Sequence, residues 1–144
     1  MKLFQIEEPE GGPVDANAPG GAPGAAIGVA IGGRMAEIAV AVGGNAEVLQ
    51  GAPGFAPPPA VPPLKAAHRE WREFFETARS FAERALARPV THVVIALPTA
   101  PDAAFEERLS QAAREAGLTP LRIAGGLSAA AAAILAEDLA PRSV

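Results

Sequence analysis

Apolar residues recur in two rhythms along this chain, and the change of rhythm marks the elements. Ala26-Ile27-Gly28-Val29-Ala30-Ile31 is a short apolar run ended by Gly32-Gly33, which predicts a buried strand. Glu37-Ile38-Ala39-Val40-Ala41-Val42 alternates large and small apolar residues and stops at Gly43-Gly44-Asn45; Ala46-Glu47-Val48-Leu49-Gln50 follows at once. Two glycine-containing turns, Gly32-Gly33-Arg34 and Gly43-Gly44-Asn45, thus link three strands in an antiparallel meander. Residues 51–63 carry Pro53, Pro57, Pro58, Pro59, Pro62 and Pro63, which excludes helix and central strand and predicts an extended connector.

From Leu64 to Ala87 the rhythm becomes helical. Leu64, Ala67, Trp71, Phe74, Phe75, Ala78, Phe81, Ala82, Ala85 and Leu86 fall on one stripe. Arg69–Glu73, Arg72–Glu76 and Glu76–Arg79 mark a wet face that runs on through Glu83. This helix holds most of the aromatic residues and is expected to anchor the core. After Pro89, His92-Val93-Val94-Ile95-Ala96-Leu97 predicts a central strand. Pro98 to Asp102 is a turn with helix-start chemistry, and Phe105, Leu109, Ala112, Ala113 and Ala116 form the stripe of a second helix closed by Gly117. Thr119-Pro120-Leu121-Arg122-Ile123 predicts a short strand broken by Gly125-Gly126. Ser128 can cap a third helix over Ala129 to Leu139, with its spacing set by Leu127, Ala131, Ile134 or Leu135, and Asp138. Right-handed crossovers make the later strands parallel to the first. The expected fold is α/β: a five-stranded mixed sheet with three helices on its faces, the ribonuclease-H-like arrangement.

Composition sharpens this in two ways. The chain has 144 residues, 49% hydrophobic and only 5% aromatic, and 34 of them are alanine, so much of the apolar content is methyl groups. Of 30 Gly and Pro residues, 22 lie in residues 1–64. Pro9 to Gly24 has almost nothing large to bury, so residues 1–24 are expected to be a flexible lead-in. Leu3, Phe4 and Ile6 could dock as a short anchor. A single lobe then spans 25–140, with a tail at 141–144. Twelve Lys and Arg against 16 Asp and Glu, with no basic block, predict a chain that binds neither nucleic acid nor membrane. No cysteine means no disulfide, thiolate metal site or cysteine nucleophile. No apolar run approaches the ~20 residues of a membrane span, and the start lacks a secretory core, so the expected location is cytoplasmic.

Several separated segments carry a resemblance. Ile27-Gly28-Val29-Ala30-Ile31-Gly32-Gly33-Arg34-Met35-Ala36-Glu37-Ile38-Ala39-Val40 resembles the first phosphate-loop hairpin of the DnaK-type seventy-kilodalton heat-shock chaperones. Asn45 through Gly54, Arg88 through Pro98, Gln111 through Leu118, and Leu121-Arg122-Ile123 into Ser128-Ala129-Ala130-Ala131 continue it in order and spacing. Met1 through Pro9 is similar to the opening of the branch devoted to iron–sulfur cluster assembly. The resemblance covers most of residues 26–139 and implies the first ribonuclease-H-like lobe of an actin-like ATPase domain. The upper-subdomain insertion of that lobe, the second lobe and the peptide-binding domain have no counterpart, the proline connector standing where the insertion would be.

The same resemblance implies lost chemistry. The family's first-strand Asp, which organises Mg²⁺ and water, corresponds to Ala30; its phosphate-touching Thr-Thr pair corresponds to Gly33-Arg34; the Glu that positions the attacking water corresponds to Gly126. The catalytic Lys belongs to the missing insertion. Phosphoryl transfer needs metal-held phosphates and an oriented nucleophile, so no ATPase activity, catalytic residue or resident cofactor is expected.

Gly32, Gly33, Gly125 and Gly126 are expected to gather at the carboxyl ends of neighbouring parallel strands, where open α/β sheets bind ligands. With Arg34, their N–H groups could hold an anion such as a phosphate of ATP or ADP. The competing reading is a set of tight turns whose site has decayed. Glu70, Glu73 and Glu76 read as a solvated face, and His68 and His92 lack partners for a metal site. The favoured expectation is a chaperone-like lobe acting as a protein-binding or homo-oligomeric subunit. The alternative is a residual nucleotide-binding accessory, linked to iron–sulfur protein maturation.

Overall fold

The computed structural model describes residues 24–51 and 57–141. The expected lead-in, apart from Gly24, falls outside them, as do the possible Leu3-Phe4-Ile6 anchor, residues 52–56 of the connector, and 142–144 of the tail. The described residues form strands β1 (Ala25–Ala30), β2 (Glu37–Val42) and β3 (Asn45–Val48), helix α1 (His68–Leu86), strand β4 (Val90–Leu97), helix α2 (Ala103–Glu115), strand β5 (Thr119–Gly125) and helix α3 (Ala129–Leu139).

The sheet order is β3-β2-β1-β4-β5. β2 runs antiparallel to β1 and to β3, whereas β4 is parallel to β1 and to β5. This is the five-stranded mixed sheet with three helices that the pattern predicts, and it is compatible with the ribonuclease-H-like arrangement. The β2–β3 turn is Gly43-Gly44, both at positive φ (61° and 83°), the twist that a two-residue hairpin needs.

Side-chain size sorts the helices onto the two faces. Ile27, Val29, Ile31, Ile38, Val93, Ile95 and Leu97 point to the side that buries Trp71, Phe74, Phe75 and Phe81 of α1 with Leu109, Ala112 and Ala113 of α2. The opposite face is made of smaller residues: Ala26, Ala30, Ala39, Ala41, Val94 and Ala96 pack with Ala129, Ala132, Ala133 and Ala136 of α3. Each large aliphatic or aromatic side chain on the first face contributes about 1.5–3 kcal/mol on burial. The second face gains by proximity instead, since methyl against methyl lets helix and sheet backbones approach.

Four expectations change. α1 begins at His68, not Leu64: the chain leaves Pro63 in a turn, with Ala66 N–H donating to the Pro63 carbonyl, and Glu70 Oε1 accepts from the Ala67 N–H to start the helix. Leu64 is therefore outside the stripe and 67% exposed, and Ala67 and Ala85 are exposed as well. The wet face pairs Arg79 with Glu83 at 3.1 Å rather than with Glu76, which faces Arg72 at 4.0 Å. β4 starts at Val90, where Glu83 Oε2 also accepts from the Val90 N–H, and β5 runs on to Gly125. Finally, α3 buries Ala129, Ala132, Ala133 and Ala136 and, of Ile134 and Leu135, packs Leu135 with Leu127 against the small-residue face and leaves Ile134 37% exposed.

The described end of the connector lies against the sheet. Pro59 and Val61 exchange backbone hydrogen bonds with Ala36 and Arg34, bridging Met35 to Ala60. No helix among the described residues is long and apolar enough to cross a membrane.

Candidate functional site

The parallel strands β1, β4 and β5 end together at one edge of the sheet, and the turns that leave them form its surface. The sequence candidates lie on this edge. The β4–α2 turn, Pro98-Thr99-Ala100, stands between them. Gly32 borders it on the β1 side, where a Cβ would lie 3.3 Å from Pro98 Cγ. Gly125 borders it on the β5 side, where a Cβ would overlap the backbone of Thr99 and Ala100. β1 and β5 are each neighbours of β4, not of each other, and that keeps the two glycine pairs apart.

Each pair has a structural duty. Gly125 makes room for the crossing turn. Gly126 takes positive φ (79°) and donates its N–H to the Leu97 carbonyl at 2.8 Å, fastening β5 to the end of β4. Gly33 and Arg34 are exposed, and the Arg34 carbonyl accepts from the Val61 N–H. The N-terminus of α3 is capped from within, since Ser128 Oγ accepts from the Ala131 N–H at 3.0 Å.

One step inside the edge, Ala30 pairs with Ala96, and Ala96 with Ala124. Three methyl groups therefore stand side by side across the three parallel strands, with no ionisable side chain among them. Asp102, in the turn after β4, is committed to α2: its Oδ1 accepts from the Phe105 N–H at 2.7 Å. Among the described residues no group of three His, Cys, Asp or Glu side chains is placed to share a metal ion.

The sequence reading missed an opening on this edge. A cleft of about 480 Å³ lies where α2 leaves β4, lined by Leu64, Leu97, Pro98, Thr99, Ala100, Pro101, Asp102, Ala104, Phe105 and Arg108. That is within the size of small-ligand and peptide pockets. Its walls are mostly apolar. Its one basic lining residue among the described residues is Arg108, whose Nη2 donates to the Ala66 carbonyl at 2.6 Å and whose guanidinium carbon lies 5.9 Å from the centre of the Phe105 ring. Phe105 in turn meets the buried Trp71 edge to face at 5.7 Å. The Trp71 indole N–H has no hydrogen-bond partner among the described residues. No periodicity could reveal this site: Leu64 reads as a helix-stripe residue and Arg108 as one more surface charge, until the prolines before α1 swing Leu64 over α2.

The two histidines are structural. His68 Nε2 lies 2.8 Å from Glu115 Oε1, tying the start of α1 to the end of α2, and the hydrogen bonds from His68 and Gln111 hold the Glu115 carboxyl below its usual range. His92 Nδ1 meets Thr91 Oγ1 at 2.7 Å, and burial lowers the His92 pKa. No family model and no curated protein matches this sequence.

Proposed function

We propose that this chain is a heat-shock-chaperone-like lobe, without ATPase activity, that works in the cytoplasm by binding a protein partner. The observation that carries the reading is the make-up of the carboxyl edge. A row of methyls, Ala30-Ala96-Ala124, crosses the ends of the three parallel strands, and Ala30 stands where the resemblance to the chaperone ATPases puts the Asp that organises Mg²⁺ and water for phosphoryl transfer. Beside it an apolar cleft opens to solvent under an exposed Leu64, the kind of surface that marks an interaction site rather than a reaction centre.

Two measurements test it. ATP turnover, with calorimetry for ATP and ADP with and without Mg²⁺, probes the site around Gly33 and Arg34. Light scattering on protein purified from its native source probes the assembly. We expect no turnover above the protein-free blank and a stoichiometric complex heavier than one chain. Turnover that Arg34→Ala abolishes, or a partnerless monomer at native concentration, overturns the proposal.

A further inference from the structure

We infer that the cleft between Leu64 and α2 docks a segment of the partner in which an apolar side chain is followed closely by a carboxylate, with Arg108 as the ionic anchor. This rests on the protein-binding reading above and names the surface and the chemistry that it recognises.

The argument is charge complementarity inside an apolar frame. Leu64, Leu97, Pro98, Pro101 and Phe105 give a surface for one or two apolar side chains. Arg108 has no carboxylate within ion-pair distance among the described residues: Glu73 meets Arg69, Glu76 meets Arg72, Glu83 meets Arg79 and Glu115 meets His68. One of its five N–H donors goes to the Ala66 carbonyl, which leaves others for an incoming group. That bond and the Phe105 ring already hold the guanidinium in place, so a ligand that meets it immobilises little further side-chain freedom. Asp102, the one acidic lining residue, is engaged at the α2 cap; Glu106 and Glu107 belong to the same helix but do not line the cleft. A cationic occupant would face Arg108 directly. A carboxylate would gain the paired, forked hydrogen bonds that guanidinium favours.

The test is a random ten-residue peptide library displayed on phage and selected against the full chain. The expected consensus places Asp or Glu within two residues of Leu, Ile or Phe. A synthetic peptide of that consensus should shift the amide resonances of Phe105, Arg108 and Leu64. Arg108→Gln should weaken it about tenfold, the scale of one hydrogen bond to a charged group, and Arg108→Lys should weaken it less. Leu64→Ser alters an exposed residue that the fold does not need, and should weaken binding independently. A consensus without acidic residues, shifts confined to another surface, or affinity indifferent to both Arg108→Gln and Leu64→Ser overturns the inference. So does an equal response to free acetate or ATP, which would make the cleft a small-anion site. If Phe4→Asp tightens peptide binding, the chain's own first residues are the occupant, and the assignment to a partner falls. A native complex that survives Arg108→Gln and Leu64→Ser would sink this inference and leave the protein-binding function standing; ATP turnover would sink the function itself.

Discussion

Ala133 of α3 sits directly over Gly28 of β1: a Cβ at residue 28 would stand 2.5 Å from the Ala133 amide nitrogen and 2.7 Å from the Ala129 carbonyl oxygen. Helix and strand meet backbone to backbone here, which is why this face of the sheet is built from small residues. Gly28→Ala should therefore destabilise the protein by about 3 kcal/mol, because the overlapped atoms are backbone and cannot rotate away. Urea denaturation checks it. Gly44→Ala is the control: its Cβ meets nothing within 4 Å, but its φ of 83° strains any side chain, so the cost should be nearer 1 kcal/mol.

Glu137 fastens the far hairpin to the same helix. Its Oε2 accepts from the Gly43 N–H at 2.6 Å and its Oε1 from the Gly44 N–H at 2.9 Å. Glu137→Ala should cost about 1–2 kcal/mol, the scale of charge-assisted bonds at a half-exposed site. Hydrogen exchange at Gly43 and Gly44 should accelerate more than exchange in the centre of β4. Uniform acceleration would mean the contact is not local.

Gly117 and Arg79 are coupled. Gly117 ends α2 at φ 89°, and a Cβ there would overlap the Arg79 guanidinium, which donates to the Ala116 carbonyl at 3.1 Å and pairs with Glu83. Gly117→Ala should cost more than the ~1 kcal/mol of the backbone strain alone. In a double-mutant cycle with Arg79→Ala, the two losses should sum to more than the loss in the double variant, since removing Arg79 relieves the overlap but not the strain. Strict additivity would refute the contact.

Acid should weaken the fold in two separate windows. His92 has a lowered pKa in the folded state because burial disfavours its charge, so below its ordinary 6.5 the unfolded chain takes up the proton first and stability falls with pH. His92→Gln should flatten stability in that window. Glu115 is also lowered, chiefly by the hydrogen bond from His68 and then by that from Gln111. Its contribution is present above its ordinary 4.5 and is lost as pH falls through the lower folded value. Glu115→Gln should remove only this second, more acidic slope in thermal melts run against pH.

By itself the sequence determined the elements and their order. Runs such as Val93-Val94-Ile95-Ala96-Leu97, the turn at Gly43-Gly44, and the caps at Asp102 and Ser128 are local signals, and each appears where its chemistry places it. The large–small alternation of β1 and β2 even held the choice of helix for each face. Tertiary structure decided what depends on distance through space. It turned α3 so that Ala129, Ala132, Ala133 and Ala136 make the closest approach to the sheet, with Leu127 and Leu135 packed at the margin and Ile134 left outside. It set the turn after β4 between the two glycine pairs, Pro98 against Gly32 and the Thr99–Ala100 backbone against Gly125. And it carried Leu64 out of α1 to line, with Phe105 and Arg108 some forty positions away, one cleft whose walls share no local pattern.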